Sequence, residues 1–418
     1  MAESTQGESA ADAPVNGLVL TGGGARAAYQ VGVLHGIERL RRECGENGGG
    51  TPFPVMVGTS AGAINAAALA SHADDYPRAV ERLYRIWHDF EANHVYRADA
   101  FGVVRTGARW LTLFTIGWAL ARWRRAKPRS LLDNTPLAHL LAEMIPLERV
   151  PGLLRSGVLK AFAVTASSYT EGKHVTFYQS AQHKQPWTRS QRVAVSDTIT
   201  VQHLLASSAI PFVFPAQCID LDGQRHYFGD GSMRQTAPIS PAVHLGATRL
   251  LVIGAGRLSE PDGEVRPHGG YPTLAQIGGH ALSNIFLDAL AVDIERAERI
   301  NHTLSLLSPE LRARSALRPL DLLVIAPSQR IDDIAARHIG ALPKPVRTML
   351  RAVGVSKDGK GDSGGGGALA SYLLFEADFT RELLALGEAD ALARRDEVEA
   401  FFGWRRPAPH SAAETPLC

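Results

Sequence analysis

A short apolar run, residues 15–20, stops at a cluster of glycines and gives way to a segment with helical spacing. Apolar side chains recur at Ala28, Val31, Leu34 and Ile37, and Arg39, Arg41 and Arg42 gather near the end. Cations suit the carbonyl-rich end of a helix, so the pattern predicts a helix over 27–41. A second short apolar run at 55–57, a helix of small residues at 61–71 and an amphipathic stretch at 76–90 follow. Strand, helix, strand, helix in succession requires parallel strands, because each helix carries the chain back to the starting edge. An α/β fold follows, with a mainly parallel sheet between helices on both faces.

Later segments fit that architecture. Residues 159–166 and 174–178 read as strands and 196–207 as a helix. Residues 217–221 and 224–228 flank Asp222-Gly223, a strong hairpin signal. Helix, strand and helix are expected at 241–246, 249–253 and 274–299, with a late strand at 322–326. Asn134-Thr135-Pro136 looks like a helix start, with proline early in the first turn. Residues 357–367 are rich in Gly, Lys and Asp and read as a mobile loop or linker, inside a helical stretch that runs to 402. Residues 1–14 and 405–418 read as tails.

Bulk properties exclude several classes. The 418 residues are 45% apolar and 21% charged, with a net charge of +2, so no global field draws in nucleic acid. Cys44, Cys218 and Cys418 are widely spaced and odd in number, which is neither a disulfide framework nor a zinc pattern. A reducing, cytoplasmic compartment is expected. The N-terminus lacks a basic start followed by an apolar run, so no signal peptide is expected, and no apolar run is long enough for a spanning helix.

Three features carry chemistry. Gly58-Thr59-Ser60-Ala61-Gly62 fits Gly-x-Ser-x-Gly, between a strand and a helix. Glycines on either side of the serine permit the close backbone approach that exposes a nucleophilic hydroxyl. The bland alternative is a tight βα turn with a capping serine. Gly22-Gly23-Gly24-Ala25-Arg26 lies between the first strand and first helix, where backbone amides can converge on one anionic oxygen. Arg26 would brace that loop or add positive potential. Gly22-x-Gly24-x-x-Ala27 also fits a dinucleotide fingerprint, but the second strand ends in Gly58-Thr59-Ser60 without the acid that holds a ribose. No Gly-Lys-Ser/Thr follows, which removes a phosphate loop of the Walker type. Serine needs a base. His226, His244 and His280 lie downstream without a recognisable catalytic setting. Asp230-Gly231, at the end of a strand, is the sharper candidate, set against an ordinary Asp-Gly turn.

A glycine turn, a serine elbow and a distant Asp-Gly, in that order, resemble the patatin-like phospholipase family. The stretches 18–33, 57–66, 206–215 and 228–241 carry the resemblance. It implies a variant of the doubly wound hydrolase fold, a three-layer α/β/α domain over 15–330 with a C-terminal helical extension at 331–404. It implies a Ser60-Asp230 dyad, with Gly22, Gly23, Gly24 and Arg26 at the oxyanion loop, Gly58, Gly62 and Gly231 as support, and neither metal nor cofactor. The implied activity is hydrolysis of acyl esters in phospholipids, lysophospholipids or neutral lipids. Thr21, Ala27 and Ser232 depart from the family pattern without removing a reacting group.

The stretch from Trp110 to Trp123, inside 104–130, is nearly all apolar and flanked by Arg109, Arg122, Arg124, Arg125 and Lys127. It suits a lid or a segment lying at the inner membrane surface, and equally a buried core helix. Two other functions remain open: an esterase acting on a neutral lipid, thioester or intracellular polyester, and a non-catalytic lipid-binding protein. Oligomeric state is not legible.

Overall fold

The computed structural model describes residues 14–97, 130–182, 184–258, 273–352, 355 and 365–405. The opening unit forms as its spacing predicts: β1 (Asn16–Leu20), α1 (Ala28–Glu43), β2 (Val55–Thr59), α2 (Ala61–Ala70) and α3 (Tyr76–His88). The later strands are β3 (Ala161–Ser168), β4 (His174–Ser180), β5 (Thr188–Arg189), β6 (Arg192–Ser196), β7 (Gln217–Leu221), β8 (Gln224–Asp230), β9 (Arg249–Ile253) and β10 (Asp321–Ile325).

One sheet takes the order β10-β9-β1-β2-β3-β4-β6-β5. From β10 to β3 every pairing is parallel. Beyond β3 the direction reverses: β4 is antiparallel to it, β6 runs parallel to β4, and β5 closes antiparallel. β8 also pairs antiparallel with the end of β3, carrying β7 as the expected hairpin. β1 and β2 are almost wholly buried, which is why they read as continuous apolar runs rather than alternating ones.

α1 packs against the C-terminal helix Ala377–Ala393 at very short range. A side chain at Gly36 would sit 2.9 Å from the Ala391 methyl, and Gly387 lies directly on the Tyr29 carbonyl. Glycines on both helices let the backbones meet, so the segment 331–404 joins the same core as the sheet.

Two expectations are corrected. The helix expected over 196–207 is strand β6 to Ser196, and the helix begins only at Val201. Thr200 is extended (φ −121°, ψ 170°) and forms a capping box with His203, which fixes that start. The strand was missed because Arg192–Ser196 is short and mostly half-buried, with no strong apolar alternation. At the expected loop 357–367, residues 365–367 instead open the helix Gly365–Ser371. Gly367 lies directly against the Asp332 carbonyl, so the missing side chain serves packing there. Residues 357–364, the stretch from Trp110 to Trp123, residues 1–13 and residues 406–418 lie outside the described residues.

Candidate active site

Strand β2 ends at Thr59, and the chain turns so sharply into α2 that Ser60 takes φ 56° and ψ −130°. A non-glycine residue reaches this region only under strain that its surroundings hold in place. The two flanking glycines remove the obstacles. A Cβ on Gly62 would sit 2.5 Å from the carbonyls of Leu20 and Thr21, and Gly58 packs onto the Ala63 backbone. The turn is pinned by the Ser60 amide, which donates to Ser207 Oγ at 2.8 Å. Ser60 Oγ donates to Asp230 Oδ2 at 2.6 Å.

Sheet register brings these two residues together. β2 pairs Thr59 with Thr165 on β3, and β8 pairs Asp230 with Ala166, the next residue on β3. Two elements distant in sequence therefore end at one level. Asp230 is anchored by its amide, which donates to the Ala209 carbonyl at 3.0 Å, and by the Ser232 amide, which donates to Oδ1 at 2.9 Å. Gly231 lies against the Thr165 carbonyl, where a side chain would not fit. The aspartate is fully buried, and among the described residues it has no cationic partner. Burial pushes its pKa up to about 6, while hydrogen bonds from Ser60 and Ser232 work the other way.

None of the three candidate histidines reaches the pair. His226 lies 3.4 Å from Glu171, His244 stacks on Trp187, and His280 sits on the helix Leu274–Ser283. Among the described residues no histidine hydrogen-bonds Ser60 or Asp230.

The glycine turn faces the same place. Gly24 takes φ +56° and lies against the Tyr372 carbonyl, so both its conformation and its surroundings demand glycine. The Ala25 amide donates to that carbonyl at 3.2 Å, and the Arg26 amide donates back to Gly23. Among the described residues nothing accepts from the amides of Gly22, Gly23 or Gly24. A buried chain of hydrogen bonds holds the loop: Gln30 donates to the Thr21 carbonyl, Asn65 to Gln30, and Trp87 Nε1 to Asn65 Oδ1. Ala27 is accommodated in the core, and its carbonyl accepts from Asn65 at 3.2 Å. The Thr21 hydroxyl donates to the Ile253 carbonyl at 3.4 Å.

The Arg26 side chain turns away from the glycine turn and is committed elsewhere. Nε donates to Ser371 Oγ at 2.7 Å, Nη2 pairs with Asp332, and the guanidinium lies 4.2 Å from the centre of the Tyr372 ring. A guanidinium held by a carboxylate braces the loop and is not free to meet an oxyanion.

Ser60, Ala61 and Gly24 border a cleft of about 870 Å³ whose walls include Ile64, Leu83, Trp87, Leu141, Phe214 and Phe375. His72 and Arg82 add polar groups to an otherwise apolar lining. Such a cleft suits a flexible hydrocarbon chain. No cluster of metal-ligating side chains occurs among the described residues.

A family model described as Patatin-like phospholipase matches residues 18–243, more than half of the chain. The chain belongs to the patatin-like phospholipase family. Two similar proteins are each described as a cGAMP-activated phospholipase. The one from Vibrio cholerae is 29% identical over 231 residues, covering 54% of this chain and 56% of that protein. The one from Escherichia coli is 27% identical over 235 residues, covering 55% of each. The chain thus matches little more than half the length of these relatives. Among solved structures, human GIVD cytosolic phospholipase A2 aligns over 94% of this chain and 63% of its own, at 12% identity and a TM-score of 0.43.

Within this patatin-like chain, sequence reasoning passed over Ser207, the Gln30-Asn65-Trp87 chain and Phe375. A signal existed for one of them: Asn65 is the sole polar residue in AGAINAAALA, and a polar group on a buried helix must find partners. No helix among the described residues is long and apolar enough to cross a membrane.

Proposed function

We propose that this protein hydrolyses fatty acyl esters of phospholipids or lysophospholipids, with Ser60 as nucleophile and Asp230 as base. One observation carries the reading: the 2.6 Å bond from Ser60 Oγ to Asp230 Oδ2, with Ser60 in the wall of a largely apolar cleft. As Ser60 Oγ bonds to the ester carbon, its proton passes to Asp230. The carbonyl oxygen takes the negative charge and is held by amides of the Gly22–Gly24 turn. Collapse of the tetrahedral species breaks the bond to the lysolipid oxygen, which leaves with the proton from Asp230. Water then gives a proton to Asp230 and attacks the acyl carbon, and the fatty acid departs as Ser60 recovers its hydrogen. With a pKa of about 6, Asp230 is ionised at neutral pH and ready to accept.

The hydrolase domain in this reading is 15–330, and 331–404 works with it. The Tyr372 carbonyl holds the Ala25 amide, and Phe375 lines the cleft. In this reading the protein acts in the cytoplasm, where lipid is met at the inner membrane surface.

The test is fluorophosphonate labelling followed by turnover on phospholipid, lysolipid, triglyceride and thioester panels. Each panel is run with and without cGAMP, since two relatives are described as activated by it. Ser60 is expected to carry the label, and phospholipid or lysolipid to lead the panel. Undiminished labelling of Ser60→Ala would remove the nucleophile assignment. Preference for thioester or triglyceride would keep the chemistry and replace the substrate.

A further inference from the structure

Three helices each present one face to the cleft beside Ser60. α2 contributes Ala61, Ile64 and Ala68, spaced three and four residues apart, which is one stripe of a helix. Ile64 and Ala68 are half-buried while every other residue of α2 is buried, so this stripe is the face the fold leaves open. α3 and the helix Thr135–Met144 form the other walls, with Leu83 and Leu141 among their lining residues. The cleft therefore follows α2 away from Ser60.

Two sets of contacts fix which end is which. Trp87 and Phe90, late in α3, meet the Phe375 ring with centroids 6.4 and 5.8 Å apart. Phe375 lies three residues beyond Tyr372, whose carbonyl accepts from the Ala25 amide of the glycine turn. At the other end of α2, Arg149 donates to the Ser71 carbonyl at 2.9 Å and pairs with Asp74 at 2.7 Å. There the wall turns polar. His72 and Arg82 both line the cleft, and Arg82 is exposed. Burial lowers the His72 pKa, and the charges of Arg149 and Arg82 lower it further, which sets both arginines around that ring. From Ser60 to His72 the rise of a helix gives about 18 Å of wall.

We infer that this wall measures the acyl chain, and that Ala68 sets how long a chain is accepted. The inference rests on the proposed hydrolysis only for where the chain begins, with its carbonyl at Ser60. Each methylene that leaves water for an apolar wall raises affinity by up to about fourfold. That gain ends where His72 and Arg82 begin. With carbon–carbon bonds of about 1.5 Å in a zigzag, an extended chain of roughly 14 carbons reaches that point. Ala68 stands about 12 Å along the helix from Ser60, on the open stripe. Its methyl leaves room for the chain to pass. A larger side chain there projects into the cleft rather than into a packed core, and stops the chain at roughly ten carbons.

Alkylphosphocholines with straight chains of 8 to 18 carbons contain no ester, so their binding is read without turnover. The full chain is titrated calorimetrically with each, below its micelle-forming concentration. Affinity is expected to climb with length and to level near 14 carbons. Ala68→Leu is expected to move the levelling point to about ten carbons, weakening the 14-carbon ligand about tenfold or more and leaving the 8-carbon ligand unchanged. His72→Leu extends the apolar wall and is expected to tighten the 16-carbon ligand about threefold, which supplies a second readout if Ala68→Leu fails to fold. In ester turnover, Ala68→Leu should shift relative kcat/KM toward shorter acyl chains. Binding that levels and shifts in this way without any turnover would remove the Ser60 reaction and keep the length measurement. Affinity that climbs evenly through 18 carbons in the wild type would overturn the inference. So would an unchanged length profile in whichever variant folds.

Discussion

Among the described residues two buried hydroxyls donate to aspartates, Ser60 to Asp230 at 2.6 Å and Tyr29 to Asp390 at 2.9 Å. By distance alone they are nearly alike. Their settings are opposite. Tyr29 sits in the regular helix α1, and its phenol pKa is pushed up by burial and by Asp390. Asp390 takes a second hydrogen bond from the Ser328 amide at 2.9 Å, and the Arg394 charge acts on both partners. Ser60 is held at a positive φ, Asp230 has no compensating cation among the described residues, and Ser60 opens onto the cleft. A short hydrogen bond does not mark a reactive pair. Backbone strain, uncompensated charge and a place for substrate do.

The largest expected effect separates the two hydroxyls. Ser60→Ala should lower turnover by on the order of 10⁴ or more, because it removes the hydroxyl that Asp230 holds. Its stability should change little, and relief of the strained turn would offset the lost hydrogen bond. Tyr29→Phe in the same assay should leave turnover within about twofold. Comparable losses in both variants would mean that the pairs differ less than their settings suggest.

Next comes the aspartate. Asp230→Asn should reduce turnover by roughly 10²–10⁴-fold, the usual worth of a positioned base. In the wild type, kcat/KM on a soluble ester should rise with pH through about 6 and then level, since only the ionised carboxylate accepts a proton. A flat profile between pH 5 and about 8 would show that another group limits the reaction.

The same substitution should act on stability in the opposite direction. The folded pKa of Asp230 is raised from 3.8 to about 6, so folding favours the protonated form. Its contribution is full below pH 3.8 and is lost as pH rises through about 6. At pH 8 the buried ionised carboxylate costs up to about 3 kcal/mol, part of which Asp230→Asn should recover. Denaturant titrations should show the variant gaining over the wild type at pH 8 and losing that gain at pH 4. Asp390→Asn, at a site whose charge is compensated, should show no such gain. A neutral Asp230→Asn at both pH values would place the aspartate in a wetter setting than its burial indicates.

How far the sequence reveals these differences depends on whether the cause is local. The elbow is legible because Gly58, Ser60 and Gly62 lie within one turn, next to an unmistakable buried strand. The proposed base is half legible. Asp230-Gly231 marks a tight turn, but only the shared neighbour β3 brings it level with Ser60. The fate of Arg26 was out of reach, because its partners Asp332 and Ser371 lie some 300 residues away in the chain. The edge strands β5 and β6 were missed for a different reason. They are short and largely exposed or half-buried, so no long apolar period announces them.

The smallest expected effect tests the structural half of the comparison. Tyr29→Phe removes one donor from Asp390 and leaves the Ser328 amide and the Arg394 charge in place. The carboxylate is then partly satisfied, so the cost should be about 1 kcal/mol, near the net worth of a single hydrogen bond. The ring still fills the same buried volume, so no cavity adds to that cost. Burial and Asp390 push the phenol pKa up, so it is protonated at pH 6 and at pH 8 and the destabilisation should be the same at both. Denaturant midpoints at the two values, with an unchanged slope, would read this directly. A loss that grew with pH would mean that the pair is coupled to a charge that changes in this range, and the two pairs would then be more alike than their partners suggest.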